Sequence, residues 1–219
     1  MHLIFDLDGT LVDSLPGIAS ALNQTLRDYE LQPYPASEVR GFVGNGTLEL
    51  CRRALAKQND PPTAIDSLAR KMNASFQTHY ATSWHAGTTL YPHIDDTLQT
   101  LAAEGAQLAV LSNKPQGFTG EIVNTLFPSG IFSQIVGQCP DLPRKPAPDP
   151  ALFITRAWGI APHQALIIGD SSIDLETAKA AHIPFLGVAW GYHDASQLAT
   201  NPVSDPANLL SRIRQIAST

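Results

Sequence analysis

Four short apolar runs, each too short for a helix, recur along the chain. They occupy residues 3–5, 108–111, 165–168 and 185–189. Because these runs do not alternate with polar residues, they indicate parallel strands buried on both faces of a sheet. Segments with the apolar spacing of helices lie between them, at residues 95–104, 116–126, 150–158 and 173–181. This alternation predicts an α/β fold with a doubly wound parallel sheet.

One region breaks the rhythm of strands and helices. Between residues 16 and 84 the pattern is helical, at residues 18–29, 47–57 and 63–76, and no segment reads as a strand. Such a stretch after the first strand indicates a helical domain inserted into the sheet domain. We therefore predict a discontinuous core of residues 1–15 and 85–219, and an inserted helical domain of residues 16–84.

Polar residues follow three of the predicted strands directly. Ligands of doubly wound sheets bind beyond the carboxyl ends of the strands, so these residues are the candidates for a site. The first strand is followed by Asp6 and Asp8, the second by Ser112-Asn113-Lys114, and the third by Gly169-Asp170-Ser171-Ser172-Ile173-Asp174. Lys145 lies in the proline-rich segment between the second and third strands.

The two carboxylates of Asp6 and Asp8 define the chemistry of the first cluster. Alternate residues of an extended chain point the same way, roughly 6.7 Å apart, so both can face one site. At an effective dielectric constant of about 20, their repulsion is roughly 2.5 kcal/mol, which a divalent cation or one proton would relieve. A calcium loop starting at Asp6 is excluded, because Leu11 and Gly17 stand where that loop needs Gly and Glu.

Each candidate also has an ordinary structural explanation. Asp8-Gly9 fits a turn after a strand, Ser171 with Asp174 fits a helix capping box, and Lys145 fits a solvated loop charge. The occurrence of all these clusters in one order along the chain favours a site over separate coincidences.

Composition narrows the function classes. The 219-residue chain has a net charge of −6, so it offers no basic surface for nucleic acid. It contains no apolar stretch of the length that a membrane span needs, and the N-terminal apolar run ends at Asp6. Cys51 and Cys139 form no metal or redox motif, which suits a reducing compartment. We expect a cytoplasmic protein that binds neither nucleic acid nor membranes.

The ordered clusters together resemble the four motifs of the haloacid dehalogenase superfamily of phosphotransferases. The resemblance covers nearly the whole chain. The four matching segments are Phe5-Asp6-Leu7-Asp8-Gly9-Thr10-Leu11-Val12-Asp13-Ser14, Leu111-Ser112-Asn113, Lys145-Pro146 and Gly169-Asp170-Ser171-Ser172-Ile173-Asp174. The insertion after the first motif is similar to the small helical cap of subfamily I. Gly44-Asn45-Gly46 and Leu111-Ser112-Asn113-Lys114-Pro115 resemble the corresponding segments of phosphoglycolate phosphatases.

The resemblance implies a magnesium-dependent phosphatase for a small phosphate ester. Asp6 would be the nucleophile that forms an aspartyl-phosphate, and Asp8 the acid and then the base. Ser112 and Lys145 would bind the transferring phosphoryl group. Mg²⁺ would be held by Asp6, the backbone carbonyl of Asp8 and Asp170, with Asp174 as a further metal-site residue. Candidate substrate-binding residues are Gly9, Thr10, Asn113, Gly44, Asn45, Gly46 and Arg40.

Several alternatives remain open. The leading substrate is 2-phosphoglycolate, on the strength of the Gly44-Asn45-Gly46 loop. A sugar-phosphate phosphomutase, a pyrophosphatase or a nucleotidase would use the same core. A haloacid dehalogenase or a non-catalytic phospho-acceptor domain is more distant. The protein would be a monomer or a homodimer.

His182 departs from the pattern of the family. Related sequences usually have Gly at this position, and His accepts a left-handed helix cap less readily.

Overall fold

The computed structural model describes residues 1–59, 63–198 and 201–218. It divides into two compact units, one of Met1–Val12 and Leu90–Thr219 and the other of Asp13–Thr89. The predicted domain limits, 16 and 84, lie inside the second unit. Each unit is described by itself below.

The first unit is built on a parallel five-stranded sheet, so the predicted fold class is confirmed. In spatial order the strands are β5-β4-β1-β6-β7, and every pairing is parallel. Their bounds are β1 His2–Phe5, β4 Gln107–Pro115, β5 Gln134–Gln138, β6 Ala165–Gly169 and β7 Phe185–Gly187. Two shorter strands, β2 (Val12–Asp13) and β3 (Thr89–Leu90), form a separate sheet.

Helices connect the strands of the first unit. Their bounds are α5 Ile94–Ala103, α6 Gln116–Leu126, α7 Asp149–Ala157, α8 Ser172–Ala181 and α9 Leu209–Ala217. Small and branched side chains from α7 and α8, among them Ala151, Ile154 and Ala178, pack against Ile4 and Ile167 of the sheet. Because Ile4 pairs in register with Ile167, β1 and β6 end at the same level and their following residues meet.

One predicted strand of this unit was too short, and two elements were missed. The strand at 108–111 continues to Pro115, because the polar residues that seemed to end it extend along the neighbouring edge strand. Strand β5 was missed, since Gln-Ile-Val-Gly-Gln is short and carries a glycine and polar ends. Helix α9 was missed although Leu209 and Ile213 are fully buried.

The second unit is helical, with α1 Leu15–Asp28, α2 Ala36–Val39, α3 Thr47–Ala56 and α4 Ile65–Ser83. Helix α4 packs against both α1 and α3. The predicted helix 63–76 ended too early, because the residues after Phe76 are mostly polar. Tyr80, one turn beyond Phe76, is buried and stacks on its ring with centroids 5.5 Å apart, so the buried face continues to the end of α4.

Candidate active site

Asp6 directly follows β1, the central strand of the sheet, which lies between β4 and β6. Its surroundings are therefore the residues that follow these two strands. Its backbone N–H donates to the carbonyl of Ile168 on β6 at 2.9 Å, which continues the sheet by one residue. Asp6, Asp170 and Asp174 each offer a carboxylate oxygen, and these atoms lie within 4.8 Å of one another. The three predicted carboxylates therefore meet at the carboxyl edge of the sheet.

Lys145 bridges this cluster from the loop between β5 and α7. Its ammonium donates to Asp6 Oδ1 at 2.7 Å, to Asp174 Oδ1 at 2.6 Å and to the carbonyl of Leu111 at 2.9 Å. The side chain is only 5% exposed, so it is not a solvated loop charge. All three ammonium protons have acceptors, which fixes the charge between the two carboxylates.

The carboxylates at this edge have unusual protonation equilibria. Burial raises the pKa of Asp6 well above its usual range, although the charge of Lys145 opposes the shift and those of Asp174 and Asp170 add to it. Burial together with Asp174 raises the pKa of Asp170 to about 7. Burial alone would lower the pKa of Lys145, but Asp174 and Asp6 outweigh it and the pKa is raised. The cluster therefore carries more negative charge than its one bridging lysine compensates.

Asp174 has a capping role as well as an ionic one. Ser171 Oγ accepts from the Asp174 N–H, and Asp174 Oδ2 accepts from the Ser171 hydroxyl at 2.5 Å and from its backbone N–H at 3.2 Å. The predicted capping box at the start of α8 is thus present. Since Lys145 engages Oδ1 and Ser171 engages Oδ2, Asp174 orients Lys145 more directly than it offers a free oxygen to an ion.

Asp170 is enclosed by two segments of the chain. On one side Thr10 Oγ1 donates to Asp170 Oδ1 at 3.4 Å, and a Cβ added at Gly9 would lie 2.5 Å from Oδ2. On the other side the Tyr192 N–H donates to Oδ2 at 2.7 Å, and a Cβ at Gly191 would lie 2.2 Å from the same oxygen. Both glycines are required by this close approach. Gly9 and Thr10, predicted to bind substrate, support Asp170 here, and their role toward substrate stays a prediction.

The segment beside Asp170 was missed by the sequence reasoning. Trp190, Gly191 and Tyr192 follow the last strand of the sheet. Ligands of doubly wound sheets bind beyond the carboxyl ends of the strands, and these residues lie at such an end. The Trp190 indole N–H donates to the carbonyl of Thr10 at 3.1 Å, which ties this segment to the turn after β1. The predicted strand 185–189 carries a signal for this segment, because residues 190–192 directly follow its end.

Asp8 is held by a different lysine. Lys114 Nζ lies 2.9 Å from Asp8 Oδ1, and the two side chains are only 5% and 13% exposed. The backbone N–H of Lys114 donates to Ser112 Oγ at 3.2 Å, while Asn113 Nδ2 donates to the carbonyl of Lys145 at 3.0 Å. Ser112, Asn113 and Lys145 also line a common small cleft. Lys114, at the end of β4, therefore links Asp8 to the predicted residue Ser112.

The remaining predicted residues lie in the helical unit. Gly44, Asn45 and Gly46 form the turn that leads into α3, with positive φ angles of 114° at Gly44 and 82° at Gly46. The guanidinium of Arg53 donates to the carbonyls of Gly41, Phe42 and Val43 at 3.4 Å each, which secures the preceding loop. Arg40 is exposed next to this loop.

The donor set fits a hard divalent cation. Buried carboxylates without enough positive charge around them, offering only oxygen atoms, are the ligands that Mg²⁺ and Ca²⁺ prefer. Asp6 and Asp170 have the geometry to hold such an ion, because each offers a carboxylate oxygen within 4.8 Å of the other. Burial raises the pKa of both groups, and a cation beside them would favour their ionised forms.

This fold with its acidic edge defines a class of hydrolase. The sequence model of haloacid dehalogenase-like hydrolases matches residues 3–188, and the chain belongs to that family. It is similar to proteins named phosphoglycolate phosphatase from Pseudomonas putida and Escherichia coli K12. The first is 38% identical, over 87% of this chain and 70% of that protein, and the second is 38% identical, over 86% and 81%.

A solved structure agrees with these sequence relatives. The crystal structure of a predicted phosphoglycolate phosphatase from Haemophilus somnus superposes with a TM-score of 0.87 at 30% identity, covering 96% of each chain. Family membership and the curated relatives together identify the chain as a hydrolase of phosphoric monoesters. Among the described residues, no helix is both long and apolar enough to cross a membrane.

Proposed function

We propose that the protein is a Mg²⁺-dependent phosphatase that hydrolyses 2-phosphoglycolate through an aspartyl-phosphate on Asp6. The observation that carries this proposal is the convergence of the Asp6, Asp170 and Asp174 carboxylates, two of which, Asp6 and Asp174, pair with the ammonium of Lys145. The names of the curated relatives support phosphoglycolate as the substrate. The Gly44-Asn45-Gly46 loop supports it as well.

In the first step, Asp6 attacks the phosphorus atom of the ester. Lys145 binds Oδ1 of Asp6, so the other oxygen, Oδ2, forms the new bond to phosphorus. The bond between phosphorus and the alkoxide oxygen breaks, and Asp8 gives its proton to that oxygen. Asp6, Asp170 and the Asp8 carbonyl would hold a magnesium ion, whose positive charge would offset the negative charge of the phosphoryl oxygens. Ser112 and Lys145 orient the phosphoryl group.

In the second step, the carboxylate of Asp8 removes a proton from water. The water oxygen attacks phosphorus, the bond to Asp6 breaks, and inorganic phosphate leaves. Asp8 regains its proton and Asp6 its free carboxylate, so the cycle closes without another reactant. Asp6 and Asp8 thus supply the two groups that these steps need, a carboxylate nucleophile and a carboxyl acid.

The proposal also assigns roles to the cap domain and to residues near the phosphoryl group. Residues 16–84 form the cap domain that selects the substrate, with Gly44, Asn45, Gly46 and Arg40 as candidate contacts. Gly9, Thr10 and Asn113 contribute to binding near the phosphoryl group. The cysteines Cys51 and Cys139 are unpaired, which supports a cytoplasmic location. Monomer or homodimer remains a prediction that light scattering would decide.

A substrate panel tests the proposal. Turnover would be measured with Mg²⁺ on 2-phosphoglycolate, hexose phosphates, nucleoside monophosphates and pyrophosphate, and with EDTA as the metal-free control. We expect phosphoglycolate to have the highest kcat/KM and EDTA to abolish turnover. Another ester exceeding it by about 100-fold, roughly 2.7 kcal/mol in transition-state stabilisation, would reject phosphoglycolate as the substrate.

A further inference from the structure

Each carboxylate of the Asp6 and Asp8 pair has its own buried lysine. Lys145 serves Asp6, while Lys114 at the end of β4 lies 2.9 Å from Asp8 Oδ1 and is 5% exposed. The mechanism above gives Lys145 a role in phosphoryl binding but gives Lys114 none. Burying a lysine beside a carboxylate is not by itself a strong source of stability, because desolvation offsets most of the attraction.

Lys114 lies close to the place where the proposed mechanism puts the leaving group of the ester. An acid must come within about 2.6 to 3.2 Å of the oxygen it protonates. The ammonium of Lys114 is 2.9 Å from Asp8 Oδ1. It therefore lies no more than about 6 Å from the leaving oxygen of a bound ester if Oδ1 gives the proton, and no more than about 8 Å if Oδ2 does. In an ester of a 2-hydroxy acid, the carboxylate oxygens lie roughly 3 Å from that oxygen by ordinary bond lengths. Such a carboxylate can reach the ammonium.

We propose that Lys114 binds the carboxylate of the leaving group, so that the protein selects phosphate esters of 2-hydroxy acids. This inference rests on the proposed function, because it takes Asp8 as the acid. An ammonium has three N–H donors and can hold Asp8 and a substrate carboxylate together. Esters of sugars or nucleosides have no anion beside the leaving oxygen for the Lys114 ammonium to bind. Selection by Lys114 operates within the sheet unit and adds to any selection by the cap.

The test compares two esters that differ in one charge. 2-Phosphoglycolate and its amide, 2-phosphoglycolamide, have nearly the same size, but only the first has a carboxylate on the leaving group. We expect the wild-type protein to prefer phosphoglycolate, and Lys114→Met to reduce that preference in kcat/KM by about 10- to 100-fold, the range of one charge-assisted hydrogen bond. Any effect on Asp8 applies to both esters and cancels in the ratio.

Two further variants complete the design. Lys179→Met removes a positive charge from the exposed last turn of α8 and should leave the preference unchanged. Lys114→Arg keeps the charge and should keep most of the preference. Lys114→Met lowering kcat for both esters equally would overturn the inference, because Lys114 would then act only on Asp8.

The wild-type protein provides a test even if Lys114→Met does not fold. Equal kcat/KM for phosphoglycolate and its amide would overturn the role of Lys114 while leaving the phosphatase proposal intact. Absence of turnover of both esters, with turnover of another phosphate ester, would reject the proposed substrate and with it the role of Lys114.

Discussion

At the scale of single residues, the site is defined by buried charge that the chain alone does not balance. Asp6, Asp170 and Asp174 share one lysine, and the pKa values of Asp6 and Asp170 are raised as a consequence of burial and mutual repulsion. The ionised carboxylates therefore destabilise the metal-free protein. A bound divalent cation would remove this cost, which couples metal binding to stability.

The pH dependence of stability follows from Asp170. Its pKa rises from 3.8 to about 7 on folding, so the folded state retains a proton that the unfolded state has lost. The stability that this proton confers is complete below pH 4 and is lost as the pH rises toward 7. We expect the free energy of unfolding of the wild-type protein, relative to Asp170→Asn, to fall over this range in EDTA. Urea unfolding at a series of pH values measures it.

Added Mg²⁺ is the control for this pH effect. Because the ion binds the ionised carboxylates, it should stabilise the wild-type protein most at high pH and should have little effect on Asp170→Asn. A difference between the two proteins that is independent of pH in EDTA would contradict the raised pKa of Asp170.

Gly191 gives a second prediction at this scale. A Cβ there would lie 2.2 Å from Asp170 Oδ2, so Gly191→Ala should displace the carboxylate. Loss of support behind a metal ligand typically costs 10- to 100-fold, and we expect the Kd for Mg²⁺ to rise by roughly that factor. Calorimetric titration of the metal measures the Kd without relying on activity.

A matched glycine provides the control. A Cβ added at Gly117, in helix α6, would meet nothing within 4 Å. Gly117→Ala should therefore bind Mg²⁺ like the wild-type protein. If Gly191→Ala also kept the wild-type Kd, the contact with Asp170 would have no consequence for metal binding.

At the scale of elements, the sequence was most informative where a strand is central. The apolar runs at β1 and β6 are surrounded on both faces, so no polar position interrupts them. Edge strand β5 was missed because exposure on one side permits Gln134 and Gln138. Strand β4 continues through Ser112 to Pro115 because polar groups that serve the site still pair along the strand, which composition cannot distinguish from a loop.

The site, like the sheet, was predictable in part from the sequence. Asp6, Asp170, Asp174 and Lys145 were identified because they follow apolar runs or fill a recognised motif, and the structure brings them together. The contact of Lys114 with Asp8 and of Gly191 with Asp170 depends on side-chain packing across separate strands. No local pattern encodes such contacts, so only the folded chain reveals them.

The end of helix α8 offers a test of backbone strain. His182 takes a left-handed conformation with φ 55° and ψ 38°, so the cap forms despite the expected reluctance of His. Because a side chain in this region costs about 1 kcal/mol, we expect His182→Gly to raise the free energy of unfolding by roughly that amount. Urea unfolding with saturating Mg²⁺ measures the change.

His182→Ala separates the backbone effect from loss of the imidazole. Alanine keeps the Cβ that is strained in this conformation and should give no gain. Equal stability of the Gly and Ala variants would show that the left-handed cap costs nothing at this position.

At the scale of the whole molecule, the two units divide the proposed work. The sheet unit carries the residues that act on phosphorus, and the helical unit of Asp13–Thr89 carries the loop of Gly44, Asn45 and Gly46. Net charge does not favour an anionic substrate, since the chain is negative overall. In the proposed mechanism, the attraction for a phosphate ester comes instead from Lys145, Lys114 and a bound cation at the edge of the sheet.

Covalent phosphorylation of Asp6 is the step on which the proposed mechanism depends. Asp8→Ala removes the base for the second step, while p-nitrophenyl phosphate has a leaving group that needs no acid for the first, so the phosphoenzyme should accumulate. Acid-quenched mass spectrometry of this variant with Mg²⁺ should show one added phosphoryl group on the peptide that contains Asp6. The same experiment on Asp6→Asn combined with Asp8→Ala should show none. Persistence of the adduct in the double variant, or its absence from Asp8→Ala while p-nitrophenol is released, would contradict the account.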